Sequence, residues 1–254
     1  MARSVSAAIT AQQHPLWLSV ALSVFPGVAL GVFIVAATPV LEELGVDPIF
    51  ALFGGIGVVI VPLELGWLAV VARRTAGTWS PLAVVNYKTR LPARRLLPLA
   101  LGLAAWFILT LIIWTATLEG SVIEGLPSWV PGAILQFARV SAEGGAPSAR
   151  VIAALLAVAF VFNGVAGPVT EELYFRGYLL PRIDRHGRWA PVLNSVLFAI
   201  YHVWMPWRWP QIVIGFIPLA AAVQRTRSIY VSIIAHVTIN VGFLIMLMSS
   251  LLAA

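Results

Sequence analysis

The sequence predicts an all-α protein: a polytopic membrane bundle of about seven (six to eight) transmembrane helices around a polar, cytoplasm-facing cavity. Three observations predict it. First, 60% of the 254 residues are hydrophobic and only 10% are charged, against roughly 45–50% and 25% in soluble domains. Second, apolar runs approaching the ~20 residues of a spanning helix recur along the whole chain. Third, the few charges are sorted into basic and acidic loops that alternate between the runs, as the positive-inside bias requires. A soluble chain this apolar would expose patches that precipitate. Disorder is excluded as well, because disordered chains are poor in apolar residues.

The runs follow in order. Leu16–Ala37 is 22 residues without a charge, and Ile49–Ala72 is interrupted only by Glu64. Leu96–Leu118 is the third. Val151–Gly167 is the fourth and continues through Pro168 into a polar stretch ending near Ile183. Pro191–Trp204 and Gln211–Val223 are each short for a span, with the Trp/Pro-rich joint Met205–Pro210 between them; Ile229–Leu252 closes the set. The N-terminus does not read as a cleavable signal, since its basic region is weak and the first apolar run is long enough to span. No linker or repeat divides the chain. It reads as one membrane domain, 1–254, with the chemistry concentrated in 151–242.

Loop charge sets the orientation. Thr38–Pro48 carries Glu42, Glu43 and Asp47 and no base, whereas Arg73–Arg95 carries six bases and no acid. Arg182–Arg188 holds three Arg against Asp184, and Arg225 and Arg227 precede the last run. Placing the basic loops in the cytoplasm puts the N-terminus inside and the 38–48 and 119–149 loops outside. Within 119–149, Trp129, Ile134 and Phe137 suggest a surface-lying piece. The net charge of +6 is then a topology signal, and no nucleic-acid partner is expected. The chain contains no cysteine, so thiolate chemistry and thiolate metal sites are excluded. Seven Trp near run ends (Trp17, Trp79, Trp129, Trp189, Trp204, Trp207, Trp209) read as an interfacial belt. His14 and His186 read as solvated.

Charges inside the apolar runs need a reason. Glu172 and Arg176 are i,i+4 with the acid first, the favourable order on a helix. Glu171 is turned about 100° away and lacks this counter-ion, which makes it the candidate for proton chemistry. A salt-bridge cluster that merely anchors the helix end is the plain alternative. His202 follows Phe198 at i+4, and Asn240 follows His236 at i+4. At 1.5 Å per residue, Glu171, His202 and His236 lie roughly 16, 21 and 14 Å from their basic loops. Three helices therefore bring them to similar depth, nearer the basic side. Glu64 lies at comparable depth and is a possible cavity residue, or else a neutral core carboxyl beside Pro62.

Glu171-Glu172-x-x-x-Arg176, Phe198-x-x-x-His202 and His236-x-x-x-Asn240, in this order, resemble the CPBP family of intramembrane proteases. These are the CAAX-protease and bacteriocin-processing proteins, also called the Abi family or type II CAAX prenyl endopeptidases. The resemblance covers about Val151 to Gly242; the preceding 150 residues match only as generic spans. Family members often have eight helices, one more than the runs counted here. The resemblance implies hydrolysis of a peptide bond in a membrane-associated, prenylated or leader-type substrate. It implies Glu171 as the base that activates water, aided by His202, with His236 and Asn240 stabilising the oxyanion. Glu172, Arg176 and Phe198 would support the site. No cofactor is expected. A zinc version with Glu171, His202 and His236 as ligands also stays open, although no His-Glu-x-x-His pattern is present. Two other functions use the same residues: a proton-coupled transporter, or a catalytically silent scaffold or immunity protein. The expected partners are the lipid bilayer and a membrane-associated peptide or protein. The composition points to a bacterial plasma membrane with the N-terminus cytoplasmic.

Overall fold

The computed structural model describes residues 12–128, 130–135 and 149–253, and within them the architecture is helical with no strand. We label the long helices α1 (Leu16–Glu43), α2 (Ile49–Ala76), α3 (Ala93–Thr117), α4 (spanning part Ala154–Arg182), α5 (Ala190–Tyr201), α6 (Trp209–Thr226) and α7 (Ile229–Ala253). Five of them, α1 to α4 and α7, are long and apolar enough to cross a membrane. The fifth and sixth apolar runs form a hairpin instead. The 12 residues of α5 rise only about 18 Å, short of a bilayer core of about 30 Å. The joint at 202–208 turns the chain, and α6 returns it to the end from which α5 started. Bulky apolar side chains such as Phe25, Val32, Val58 and Ile113 remain exposed on the outside of the bundle, as lipid-facing positions do.

One end of the bundle gathers the basic loops. Asn86 and Thr89 donate backbone N–H groups to the carbonyls of Gly177 and Arg227 at 2.8 and 2.9 Å, and Ile229 N–H reaches the Tyr87 carbonyl at 2.7 Å. Asp184 accepts from Gln224 at 2.6 Å and pairs with Arg227 at 3.2 Å. The N-terminal segment docks at the same end, through His14 N–H to the Arg182 carbonyl at 2.9 Å and the Gln13 amide to the Pro181 carbonyl at 2.9 Å. Helix α2 stops there at Gly77, whose φ of +70° closes the helix in the left-handed conformation that glycine adopts without a Cβ penalty. The opposite end carries the 44–48 turn, the short helix Glu119–Glu124 and the 202–208 joint, with Arg208 paired to Glu119 at 2.9 Å.

Several sequence expectations change here. His14 is not solvated: it is packed edge-on to Tyr178, and burial together with the nearby Arg182 charge holds its imidazole down to about 4. Trp17, Trp79 and Trp189 are exposed as belt residues should be, but Trp204 and Trp207 are buried. Ile134 is also buried, on the short helix Gly132–Leu135. Trp129 and Phe137, the other residues of the suggested surface-lying piece, lie outside the described residues.

Helix α1 meets α5 at Gly27, where a Cβ would overlap the Tyr201 carbonyl. Only glycine permits this approach. Gly27→Ala must therefore push α1 from the C-terminal turn of α5, and we expect a lower thermal midpoint in detergent and a displaced Tyr201. An unchanged midpoint would contradict the contact. His14 gives a pH prediction. Its pKa is depressed on docking, so docking is fully favoured above the free value of about 6.5 and weakens as pH falls from there toward 4. The protection factor of the amide at position 14, with intrinsic exchange divided out, should fall over that window in the wild type and lose that pH-dependent step in His14→Phe.

Candidate active site

The centre of the site is a chain of buried ionisable groups. Glu172 and Arg176 are both fully buried and lie 3.2 Å apart, the pair expected from their i,i+4 spacing. The Arg176 guanidinium stacks over Phe198 at 4.2 Å and Phe216 at 4.7 Å. Cation–π contacts of this kind gain strength when desolvated, and they give Phe198 a concrete place in the Phe-x-x-x-His pattern. Glu172 Oε1 also accepts a hydrogen bond from His236 Nδ1 at 2.8 Å. With a carboxylate on that nitrogen, Nδ1 carries the hydrogen and Nε2 is turned to the other side. There Glu171 Oε2 lies 3.7 Å away. Arg176, Glu172, His236 and Glu171 thus form one continuous line across α4 and α7.

Glu171 has a partner that the sequence did not reveal. Tyr201, at the last turn of α5, donates its hydroxyl to Glu171 Oε1 at 2.9 Å. Next to it, His202 Nδ1 bonds the Phe198 carbonyl at 2.8 Å. A carbonyl can only accept, so Nδ1 holds the hydrogen and the Nε2 lone pair is available. Asn240 donates one amide hydrogen to the Asn163 carbonyl at 2.8 Å, leaving its second N–H. Asn163 belongs to a π-helical stretch, Ala159–Ala166, and Glu172 opens another, Glu172–Leu179. Such widened turns occur often at functional sites, and both displace α4 from the regular helix assumed from spacing alone.

A cavity of about 190 Å³ joins these groups. Glu171, His202, His236 and Asn240 all line it. It is large enough for several waters. Its other walls come from one end of each helix: Ile49 and Phe53 of α2, Phe107 and Leu111 of α3, Gln211 and Ile212 of α6, and Phe243 of α7. The joint adds Trp204, Met205, Trp207 and Arg208. The cavity therefore extends from Glu171 toward the end opposite the basic loops, whereas depth counted from those loops suggests an opening on the basic, cytoplasmic side.

Glu64 does not line the cavity. It is fully buried, and neither carboxylate oxygen has a hydrogen-bond partner among the described residues. The zinc arrangement fits poorly too: among the described residues, no group of three His, Cys, Asp or Glu side chains converges to hold a metal ion. Both histidines bond through Nδ1, to Glu172 and to the Phe198 carbonyl, which leaves Nε2 as the nitrogen each can offer to a ligand or substrate.

Comparison with known proteins agrees with the motifs. Residues 153–242 match the family described as Rce1-like, type II CAAX prenyl endopeptidase. That segment runs from the start of α4 through the first half of α7 and contains every residue of the buried ionic line. No curated protein and no solved structure matches the chain. The chain is an integral membrane protein whose residues 153–242 are similar to the Rce1-like type II CAAX prenyl endopeptidase family.

Proposed function

We propose that this protein is a glutamate-type intramembrane endopeptidase in which Glu171 activates water against a peptide bond of a membrane-associated substrate. The observation that carries the reading is the setting of Glu171: a carboxylate on the cavity wall, held on one oxygen by Tyr201 and flanked on the other by His236.

Amide hydrolysis needs a base beside the water and donors aimed at the developing oxyanion. In this scheme Glu171 takes a proton from the water as its oxygen bonds to the carbonyl carbon. The carbonyl oxygen becomes the oxyanion, which accepts from the second N–H of Asn240. His236, held by Glu172, supplies the other donor when its Nε2 is protonated. The C–N bond then breaks as the proton on Glu171 passes to the leaving amine, which restores the carboxylate. The lone pair on His202 Nε2 helps to orient the water. Glu172 and Arg176 act through His236 and fix its ring. Every step runs through side chains of this chain.

Cleavage of a reconstituted membrane-protein substrate tests this reading. Glu171→Gln keeps the hydrogen bond from Tyr201 but removes the base, and its rate should fall by roughly 10²–10⁴. Full activity in that variant, or activity lost to a chelator and restored by zinc, would overturn the scheme. Tyr201→Phe removes a hydrogen bond to a charged group, so kcat should fall roughly ten- to a hundredfold with KM nearly constant. Arg176→Met leaves Glu172 buried without its partner and should destabilise the protein by about 3–5 kcal/mol, read as a lower unfolding midpoint.

A further inference from the structure

We propose that Phe107 sets the substrate preference of the cavity, admitting next to the scissile bond only residues no larger than Val. The proposal rests on the protease reading for the bond that is cut, and it names the class of substrate. That class is a segment with small apolar residues at the point of cleavage, since an aromatic ring or a long aliphatic side chain finds no room there.

Size is the first constraint. A dry cavity of ~150 Å³ is enough for one benzene. Here about 190 Å³ must hold the attacking water, the peptide group and any side chain beside it. A ring or a Leu side chain would compete for that space with the reacting atoms. Overfilling a packed site drives side chains off their rotamers and displaces backbone. The walls are mainly aromatic and aliphatic, so the side chain that does fit is apolar.

Position singles out Phe107 among the walls. Phe216 packs edge-on against His236, with ring centroids 5.2 Å apart, and Phe107 packs edge-on against Phe216 at 5.0 Å. Phe107 is therefore two ring contacts from the imidazole beside Glu171. A peptide carbonyl held by His236 brings its neighbouring side chains to this wall. The other nearby rings have different tasks: Phe198 and Phe216 cover the Arg176 guanidinium. Phe107 lines the cavity and keeps 9% of its surface accessible, against 2% for Phe216. Its ring lies against α6 because residue 215 is glycine; a Cβ there would overlap it. Before it on α3 the buried residues are Ala100 and Ala104, so Phe107 is the first large side chain that α3 buries in the bundle. It also lies outside residues 153–242, the segment that matches the family. The wall can thus change without touching the motifs that carry the chemistry.

The test uses an internally quenched, Leu-rich single-span peptide reconstituted with the protein. Its central pair is Ala-Ala, Val-Val, Leu-Leu or Phe-Phe, and mass spectrometry locates the cut. The wild type should cut at Ala-Ala with a kcat/KM at least about tenfold above that for Leu-Leu or Phe-Phe. Phe107→Ala should remove most of that ratio and Phe107→Leu part of it. A purely structural role would lower all four rates together and leave the ratio alone. Equal rates for the four pairs in the wild type would overturn the proposal. So would an unchanged ratio in whichever variant keeps the wild-type elution volume. A second arm needs no cleavage. In a Glu171→Gln background, saturation-transfer NMR should detect N-acetylalanine amide but not N-acetylphenylalanine amide, and adding Phe107→Ala should admit both. Phe107→Trp, which fills the space further, serves as the blank for partition into detergent. N-acetylphenylalanine amide detected above that blank while Phe107 is present would overturn the size limit. The expected binding pattern with no peptide cut would count against the protease reading and support the size limit.

Discussion

The structure depends on keeping Arg176 and Glu172 ionic inside an apolar bundle. Removing two charges from water is expensive, and their attraction offsets that cost only where geometry and further contacts are favourable. Here the further contacts come from three other helices. Phe198 of α5 and Phe216 of α6 cover the guanidinium, and His236 of α7 donates to the same carboxylate oxygen. The ion pair therefore ties α4 to α5, α6 and α7 at one point. It also fixes which nitrogen of His236 bears hydrogen, and so what faces Glu171. The motif residues that never touch a substrate in the proposed scheme are those that make this arrangement rigid.

The two ends of the bundle then divide their tasks. Backbone bonds at the basic end join the segments around 86–89, 177–182 and 227–229. Tyr87 and Arg227 there both hold positive φ, at 59° and 54°, a conformation uncommon outside glycine, with the Arg227 guanidinium over the Tyr87 ring at 4.6 Å. At the other end the α5–α6 hairpin stops short, and its aromatic joint becomes the cavity wall. The close approach at Gly27 holds the end of α5 against α1, which is where Tyr201 must sit to reach Glu171.

Much of this is legible in the sequence, for a physical reason. In a chain with so few charges, each ionisable residue in an apolar run stands out, so residue type and position alone single out Glu171, Glu172, Arg176, His202 and His236. Helical rise is enough to bring three of them to one depth. Rise does not encode which way the helices splay, so the direction of the cavity is not readable from it. Tyr201, Trp204 and Trp207 escape a sequence reading because aromatic residues near the end of an apolar run look the same whether they face lipid or a cavity. Glu64 shows the opposite error: the correct depth, but a position that does not line the cavity. The fifth and sixth runs are visibly short in the sequence, yet only the packing shows that they return to the same end.

The central claim is that Glu171 makes this bundle a hydrolase. The most direct measurement maps protein termini in the membrane fraction of cells carrying either the wild type or Glu171→Ala at equal abundance. The account predicts at least one new terminus, within or beside an apolar segment, present only with the wild type. Identical termini in the two samples, together with a solute or proton flux that depends on Glu171, would contradict it.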